Sequence, residues 1–290
     1  MMEFLYSTRN PDCPLAYARF SGMHTQCELL VARCEEAPSR TWCGAVEKKV
    51  LEAEARYNRF NPQSLLSRLN REAARGEFPC DEEMFLILEL CQAFRKATRG
   101  WFDISANPTS RSSEAGNWEL EPVGHSVHFS REDMRLDLGG FLKGFVLEQV
   151  LKTLPAPSGQ ALLSLGSSSS YAKGHHPLAE SWPVSLPHSY YPGKDACTFH
   201  LRDQALSVSG KDRHGKGHII NPRTGNREEK EEMVAVTGPS PLVCEVLSTA
   251  LWVCENQERP AILETFPGYE AHIVAPLPDG SSITRKIEKL

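Results

Sequence analysis

The amino-acid sequence predicts an α+β fold with antiparallel sheets and packed helices. Strand-like segments rich in β-branched and apolar residues follow one another in runs, helical segments interrupt these runs, and strand and helix do not alternate regularly. The chain has 290 residues, of which 40% are hydrophobic and 24% are charged. This composition supports a large core, so we expect residues 1–290 to form a single domain or two closely joined lobes.

The charge and the cysteine pattern exclude several classes of protein. A formal net charge of −5 and a pI near 6.1 argue against a nucleic-acid-binding protein. The start of the chain has no cationic region followed by a long apolar run, and no stretch approaches the ~20 apolar residues that span a bilayer. We therefore expect a cytoplasmic protein with no transmembrane segment. The nine cysteines occur singly, which favours reduced thiols over a zinc site or a disulfide framework.

The first half of the chain contains one strand signal, three helical signals and a loop. Residues 18–34 predict one strand, or a hairpin that turns near their glycine. Apolar residues recur at helical spacing in 41–60, and a short helical piece follows in 61–70. Residues 81–100 predict a second long helix, with acids in its first turn and a glycine at its end. Residues 105–122 are polar and predict a long loop.

The second half of the chain is dominated by strand signals. Two further helices are predicted, over 141–154 and 241–254. The segments that predict strands are 126–129, 134–138, 161–165, 182–186, 197–201, 205–209, 233–238 and 270–276. We find no internal repeat, and the only low-complexity run is the four serines at 167–170.

A group of unusual residues lies where the predicted strand 134–138 meets the next helix. The stretch LDLGGFLKGF places Asp137, Gly139, Gly140 and Lys143 at this junction. Glycines let a backbone approach a ligand closely, and the first N–H groups of a helix form an anion site. Lys143 could reach a phosphate there, and Asp137 could accept a hydrogen bond from a ligand. The alternative is a tight turn with Asp137 as the helix N-cap.

Two later segments also carry residues suited to chemistry. The basic, glycine-rich segment 207–226 contains His218, which could act as a proton shuttle, although a basic hairpin loop followed by a turn explains the same residues. In the helix predicted over 241–254, Glu245 and Thr249 are four residues apart and share a face. A carboxylate and a hydroxyl could share a hard cation such as magnesium, although such a pair is also ordinary helix surface.

Taken together, the three clusters resemble the ApbE family of FAD-dependent flavin transferases. The family pattern DLGG-x-x-KGY is matched by residues 137–145, HIIDPRTG by 218–225 with one change, and ADALATAL by 244–251. Earlier stretches fit as well: YNRFNPQSLLSRLN, RGWFDIS and the MHT that begins at Met23 stand where the family has similar motifs. The resemblance covers roughly residues 18 to 275 and is carried by six motifs in the family's order.

This resemblance implies a fold and a reaction. The family's fold is a two-lobed α+β architecture related to the T-fold, with a ligand cleft between the lobes. In its reaction, a Thr or Ser hydroxyl of an acceptor flavoprotein attacks the FMN-side phosphorus of FAD. AMP leaves, and FMN stays attached to the acceptor. FAD is thus the substrate, and Mg²⁺ is the implied cofactor, in a phosphoryl-type transfer that depends on positioning and charge neutralisation.

The resemblance also assigns roles to residues of this chain. Glu245 and Thr249 would be the metal ligands, and the carbonyl of Gly140 would face the metal. His218 would assist deprotonation of the incoming hydroxyl. The residues implied to contact FAD are Met23 and Phe60 in the flavin pocket, Trp101, Phe102 and Asp103 at the adenine–ribose end, Asp137 and Lys143 at the glycine junction, and His218 and Ile220 in the HIINPRTG stretch.

Several positions depart from the family pattern and indicate a divergent branch. Glu245 stands where the family has Asp, Asn221 replaces the Asp of HIIDPRTG, and His24 replaces the glycine of MGT. The family's GGD or GGN is here Gly166 followed by two serines. Two alternative functions are therefore kept open. One is an FAD-binding protein without transfer activity, and the other is an FAD pyrophosphatase that releases FMN and AMP.

Overall fold

The computed structural model describes residues 2–106, 118–211 and 219–289. These residues form six helices and fourteen strands. The helices are α1 (Glu36–Tyr57), α2 (Leu65–Glu72), α3 (Glu82–Ala97), α4 (Leu142–Thr153), α5 (Pro241–Val253) and α6 (Arg259–Glu264). The strands are β1 (Glu3–Ser7), β2 (Leu15–Gly22), β3 (Thr25–Ala32), β4 (Phe78–Pro79), β5 (Trp118–Glu121), β6 (Ser126–Phe129), β7 (Ala161–Leu165), β8 (Ser169–Lys173), β9 (Trp182–Pro187), β10 (Asp195–Leu201), β11 (Gln204–Ser209), β12 (Met233–Gly238), β13 (Glu270–Pro276) and β14 (Ser282–Lys286).

A nine-stranded antiparallel sheet forms the centre of the molecule. Its order is β1-β2-β3-β7-β8-β11-β12-β13-β14, so the strands follow the chain apart from two excursions. The longer excursion separates β3 from β7, which pair with Cys27 opposite Leu165 and Val31 opposite Ala161. The shorter one is the two-stranded sheet β9–β10, inserted between β8 and β11. The segments of these two excursions are thus available to pack on the faces of the large sheet.

The two faces of this sheet are buried by different elements. Helices α1, α4 and α5 pack on one face, with α5 lying along β8, β11 and β12. Their apolar side chains belong to the larger of two buried clusters. The β9–β10 hairpin covers the other face and closes a smaller cluster that contains Trp182, Leu186 and Val274. Alternation of side chains along each strand lets one sheet serve two cores.

A small sheet of order β4-β6-β5 lies beside α2 and α3, since Phe129 N donates to Ala73 O at the end of α2 and the His125 ring stacks on Phe85 of α3. Its buried residues Phe78, Trp118 and Phe129 belong to the same cluster as Leu29 and Leu163 of the large sheet. The described part of the chain therefore has one main core, which continues from the helices of the large sheet into the small sheet.

Most predicted elements are present, and the α+β fold class with antiparallel sheets is confirmed. The hairpin at 18–34, the two long helices of the first half and both helices of the second half are all found, with ends shifted by a few residues. The strands β7, β12 and β13 have the bounds that the sequence predicts. Within the predicted loop 105–122, residues 118–121 form β5 instead, and 107–117 lie outside the described residues.

The predicted strand 134–138 is wrong. Among the described residues this segment has no strand partner, and its central backbone groups bond instead to one side chain and to the carbonyl of a loop residue. The amide of Asn70 donates to Leu136 O at 2.9 Å and its carbonyl oxygen accepts from Leu136 N at 2.7 Å. The N–H of Asp137 donates to Ile104 O at 2.7 Å. A strand-like sequence is thus held extended by a buried asparagine of α2 rather than by a sheet.

All nine cysteines are free. Burial raises the pKa of Cys27 and of Cys43 to about 12, so these thiols stay protonated and behave as apolar core residues. Within the described ranges, no three His, Cys, Asp or Glu side chains are grouped so that they could hold a metal ion. None of the helices described above is both long enough and apolar enough to cross a membrane.

Candidate active site

The chain turns sharply between Asp137 and the start of α4. One carboxylate oxygen of Asp137 accepts from Gly139 N at 2.9 Å, and the other pairs with Arg59 Nε at 3.1 Å. The N-cap of α4 is Phe141, and no side chain of the described residues caps it. Asp137 therefore forms the tight turn that the sequence allowed as an alternative, but it is not the N-cap of the helix.

Helices α4 and α5 meet at two glycines. A Cβ atom added to Gly140 would lie 3.0 Å from Thr249 Oγ1, and one added to Gly144 would lie 2.7 Å from Pro241 O and 2.8 Å from Glu245 Cβ. The contacts at Gly144 are shorter than real Cβ atoms make, and the contact at Gly140 is tight enough that Thr249 would have to shift to admit a side chain. The two glycines therefore allow the close approach that brings the glycine junction onto the Glu245–Thr249 face of α5.

Glu245 lies at the bottom of this contact and is only 4% exposed. One carboxylate oxygen accepts from Lys143 Nζ at 2.6 Å. The other accepts from Ser207 Oγ at 3.1 Å and also from Ser169 Oγ. Ser207 and Ser209 both contact Ser248 Oγ at 3.0 Å. The carboxylate thus belongs to a buried polar network that joins α4, α5, β8 and β11.

The serines of this network were not predicted as site residues. Ser169 belongs to the run 167–170, which has no pattern beyond its repetition. A signal did exist on β11, where Ser207 and Ser209 are two residues apart and so lie on one face of an otherwise apolar strand. Lys143, which is expected from the sequence to reach a phosphate, contacts Glu245 in this structure.

The donor set at the α4–α5 contact suits a hard cation. The Glu245 carboxylate, the Thr249 hydroxyl and the Gly140 carbonyl offer oxygen atoms only, which is the preference of Mg²⁺. Thr249 Oγ1 donates to Glu245 O at 3.0 Å, which leaves its lone pairs free. These residues fit a magnesium ion in chemistry, provided that a phosphate ligand and water supply the other oxygen atoms.

The tip of the β2–β3 hairpin lies beside the turn at Asp137. Met23 and His24 form its two-residue loop, with φ of 53° and 58°. The His24 ring contacts the Phe60 ring edge-on at 5.7 Å, and Asn58 Nδ2 lies 3.3 Å from His24 Nε2. The guanidinium of Arg59 lies over the Phe60 ring at 4.5 Å. Because Arg59 also pairs with Asp137, the hairpin tip and the glycine junction are connected.

Phe102 and Asp103 are internal. The Asp103 side chain is 1% exposed and pairs with Arg95 Nε at 2.7 Å. It also accepts from Ser105 N at 2.8 Å and from Ser105 Oγ at 2.6 Å. Phe102 is buried against Phe94. Asp103 therefore orders the loop whose Ile104 carbonyl binds the backbone of Asp137.

Trp101 is held in a contact with two charged residues. It is 2% exposed, and the Arg223 guanidinium lies 3.8 Å from the centre of its ring. Trp101 Nε1 donates to Glu258 Oε2 at 2.9 Å, and Arg223 donates to both oxygens of Glu258, at 2.9 and 3.2 Å. The bonds from Trp101 and then from Arg223 lower the pKa of Glu258. Arg223 of the NPRTG turn is thus fixed to Trp101, which lies just after the end of α3.

The NPRTG turn itself follows the sequence prediction. Asn221 Oδ1 accepts from Arg223 N at 2.9 Å, and Gly225 N donates to Asn221 O at 2.8 Å. Ile220 forms an isolated bridge with Arg227. His218, the predicted general base, lies outside the described residues.

The sequence model of the ApbE family matches residues 23–273. The chain belongs to the ApbE family. Two curated relatives are each called FAD:protein FMN transferase. The one from Treponema pallidum (strain Nichols) is 28% identical over an alignment of 257 residues, and the match covers 73% of this chain and 71% of the relative. The one from Chlamydia trachomatis serovar D is 26% identical over an alignment of 236 residues, and the match covers 70% of this chain and 72% of the relative.

Solved ApbE structures share the fold. The flavin transferase ApbE from Vibrio cholerae superposes with a TM-score of 0.77 at 16% identity, covering 99% of this chain and 97% of that chain. The ApbE protein from Thermotoga maritima superposes with a TM-score of 0.78 at 18% identity, covering 96% of each chain. The ApbE fold is therefore retained across a large divergence in sequence.

The structure accommodates two departures from the ApbE motifs locally, at His24 and Asn221, and it shows why Gly166 is retained. His24 takes the left-handed conformation for which glycine is suited. Asn221 accepts from the turn, as an aspartate would, and its amide donates to Glu228 Oε1 at 2.7 Å. Gly166 remains glycine with φ of 71°, and a Cβ atom there would lie 2.5 Å from Thr25 Oγ1.

Proposed function

We propose that this ApbE-family protein is a magnesium-dependent flavin transferase that moves FMN from FAD to a Thr or Ser hydroxyl of an acceptor flavoprotein. The observation that supports it best is the convergence of Gly140, Lys143, Glu245 and Thr249 at the α4–α5 contact, beside the turn at Asp137. A cation-binding face next to a lysine and a glycine turn suits a pyrophosphate. Both curated relatives are called FAD:protein FMN transferases.

In the proposed reaction, the acceptor hydroxyl oxygen forms a bond to the FMN-side phosphorus of FAD. The bond between that phosphorus and the bridging oxygen breaks, and AMP leaves with this oxygen. The hydroxyl proton goes to a base, for which His218 remains the prediction. A bound Mg²⁺, held by Glu245, Thr249 and the Gly140 carbonyl, would neutralise charge on the pyrophosphate. The Lys143 ammonium can add to this neutralisation, because a flexible stem carries it.

The remaining predicted contacts concern the position of FAD. Phe60 is 68% exposed and offers an aromatic ring beside the hairpin tip that contains Met23, as a flavin ring requires. Asp137 can give up its partner Arg59 and accept a hydrogen bond from the ligand. Trp101, Phe102 and Asp103 are buried in this structure, so we expect them to shape the adenine–ribose end mainly through the backbone that they order.

The test is an incubation of the protein with FAD, Mg²⁺ and an acceptor flavoprotein, followed by chromatography of the nucleotides. AMP release without free FMN indicates a transferase, release of both indicates a pyrophosphatase, and release of neither indicates an FAD-binding protein. Glu245→Gln should greatly weaken the dependence on Mg²⁺. The control Glu255→Gln removes the same charge just after the end of α5 and should behave as wild type.

The proposal for His218 has its own test. His218→Asn should leave FAD binding nearly intact while transfer falls by about 10²–10⁴, the range for loss of a general base. Transfer at the wild-type rate in a folded variant would remove His218 from the mechanism. The acceptor protein and a cytoplasmic location remain expectations from the sequence.

A further inference from the structure

Both oxygen atoms of the Glu245 carboxylate already accept hydrogen bonds within the protein. Its side chain is 5% exposed, and three groups donate to it: the Lys143 ammonium and the hydroxyls of Ser169 and Ser207. A buried carboxylate is unfavourable unless it is paired and hydrogen-bonded. The protein alone satisfies both requirements at this position.

The three donors differ in how freely they can move. Ser169 lies on β8 and Ser207 on β11, two central neighbours in the large sheet, and Ser207 is further held by Ser248 of α5 at 3.0 Å. Their hydroxyls are therefore fixed. Lys143 reaches Glu245 through a four-carbon stem, and its side chain is 19% exposed, so its ammonium can swing away from the carboxylate towards solvent.

The charge at this position is also distributed unequally. The serines are neutral, so the charge of Glu245 is balanced by Lys143, its cationic partner among the described residues. Gly140 and Thr249, the other oxygen donors, lie on the same α4–α5 contact. A divalent cation that binds between these residues meets the Lys143 ammonium, which lies 2.6 Å from the Glu245 carboxylate. The two cations repel each other and require the same oxygen.

We propose that Lys143 is an exchangeable internal counter-ion, which holds the cation position on Glu245 until a divalent cation displaces it. This inference rests on the proposed function, because it takes Glu245 to be a ligand of that cation. The serines keep the carboxylate in place during the exchange. A nucleotide pyrophosphate gives the displaced ammonium a new partner, so cation and nucleotide each raise the affinity for the other. Cation and nucleotide then bind cooperatively, and the cation binds weakly when no nucleotide is present.

The experiment measures the affinity for Mn²⁺, by the paramagnetic signal of the free ion, in the absence of nucleotide. The variants are Lys143→Met and its matched control Lys152→Met. Lys152 lies on the same helix, with its ammonium 3.3 Å from Glu148 and its side chain 62% exposed. Lys143→Met should bind Mn²⁺ at least about tenfold more tightly than wild type, because it removes a like charge from a poorly solvated site. Lys152→Met should match wild type.

Unchanged or weaker binding of Mn²⁺ by folded Lys143→Met would overturn the proposal. If this variant unfolds, millimolar Mn²⁺ should restore its native circular dichroism, since the bound cation replaces the lost charge, and failure to do so also contradicts the exchange. No FAD or acceptor enters the measurement. Tighter Mn²⁺ binding by Lys143→Met, combined with absent transfer by the wild-type protein in the separate incubation with FAD, would therefore reject the proposed function alone.

Discussion

Met23 and His24 adopt backbone conformations that disfavour L side chains. Both residues of this hairpin loop have a positive φ, in a position where Asn-Gly is the usual choice. Each left-handed residue other than glycine costs about 1–2 kcal/mol. His24 recovers part of this cost through its contacts with Phe60 and Asn58. Strain retained beside a ligand site suggests that these side chains have a role there.

His24→Gly should raise the free energy of unfolding by up to about 1 kcal/mol, because the strain disappears. It should also weaken FAD binding, because Phe60 loses its ring contact. His125→Gly is the matched control, since His125 has φ of 44° and stacks on Phe85 outside the site. Urea unfolding and FAD titration measure the two effects. Equal FAD affinity in both variants would show that His24 has no part in binding.

The sequence identifies Glu245 but not the residues that hold it. An acid four residues from a threonine on a helix is visible in one segment of the chain. Its partners Ser169 and Ser207 come from strands that the fold places beside α5, far away in sequence. Short-range patterns predict single functional residues, whereas a network that crosses a sheet depends on tertiary packing.

Gly144 shows how tightly α4 and α5 are packed. Gly144→Ala should lower the free energy of unfolding by about 1–3 kcal/mol, because its Cβ would meet the backbone of α5. It should also reduce transfer, since Lys143 would move away from Glu245. In α1, Gly44 has no heavy atom within 4 Å of an added Cβ, so Gly44→Ala should stabilise by about 0.5–1 kcal/mol. Thermal unfolding of the two variants measures both effects, and equal shifts in Tm would contradict the close packing at Gly144.

The strand β13 carries a partly buried histidine under the β9–β10 hairpin. His272 contacts the Phe199 ring at 5.5 Å, and its Nδ1 is buried without a hydrogen-bond partner in the described structure. Burial lowers the pKa of His272, and Lys286 lowers it further, while Glu270 and Glu288 act in the opposite direction. The folded state therefore binds a proton less readily than the unfolded state, whose histidine has a pKa near 6.5.

Stability should consequently fall as the pH drops from about 6.5 towards the lower pKa of the folded state, by at most about 1.4 kcal/mol per pH unit. His272→Gln should reduce this slope in urea unfolding between pH 7 and pH 5. His200→Gln removes an exposed imidazole from β10 and should leave the slope unchanged. The same slope in both variants would mean that other groups cause it.

Periodicity predicts elements well where the chain packs regularly, and it fails at 134–138. Those residues have the apolar alternation of a strand, but Asn70 supplies the bonds that a neighbouring strand would give. Nothing in the local sequence distinguishes these two partners. Edge strand β14 was also missed, because most of its residues are exposed and polar.

On the scale of the whole molecule, the main core joins the nine-stranded sheet and the three-stranded sheet. Residues of the small sheet, such as Val127 and Phe129, lie in one buried cluster with Leu163 of the large sheet. We therefore predict a single cooperative thermal transition, with calorimetric and van't Hoff enthalpies that agree. A van't Hoff enthalpy well below the calorimetric value would instead show that two lobes unfold separately. The sequence alone left these two organisations open.

The pairing of β3 with β7 determines when the sheet can be completed during synthesis. The β2–β3 hairpin can form early, but the outer edge of β3 has to wait for residues 161–165. Roughly 130 residues separate the two strands, which takes on the order of ten seconds at the ribosome. During this interval β3 presents an open, largely apolar edge of the kind that associates with other chains. The nascent protein is thus most exposed to aggregation, and most in need of a chaperone, before α4 has emerged.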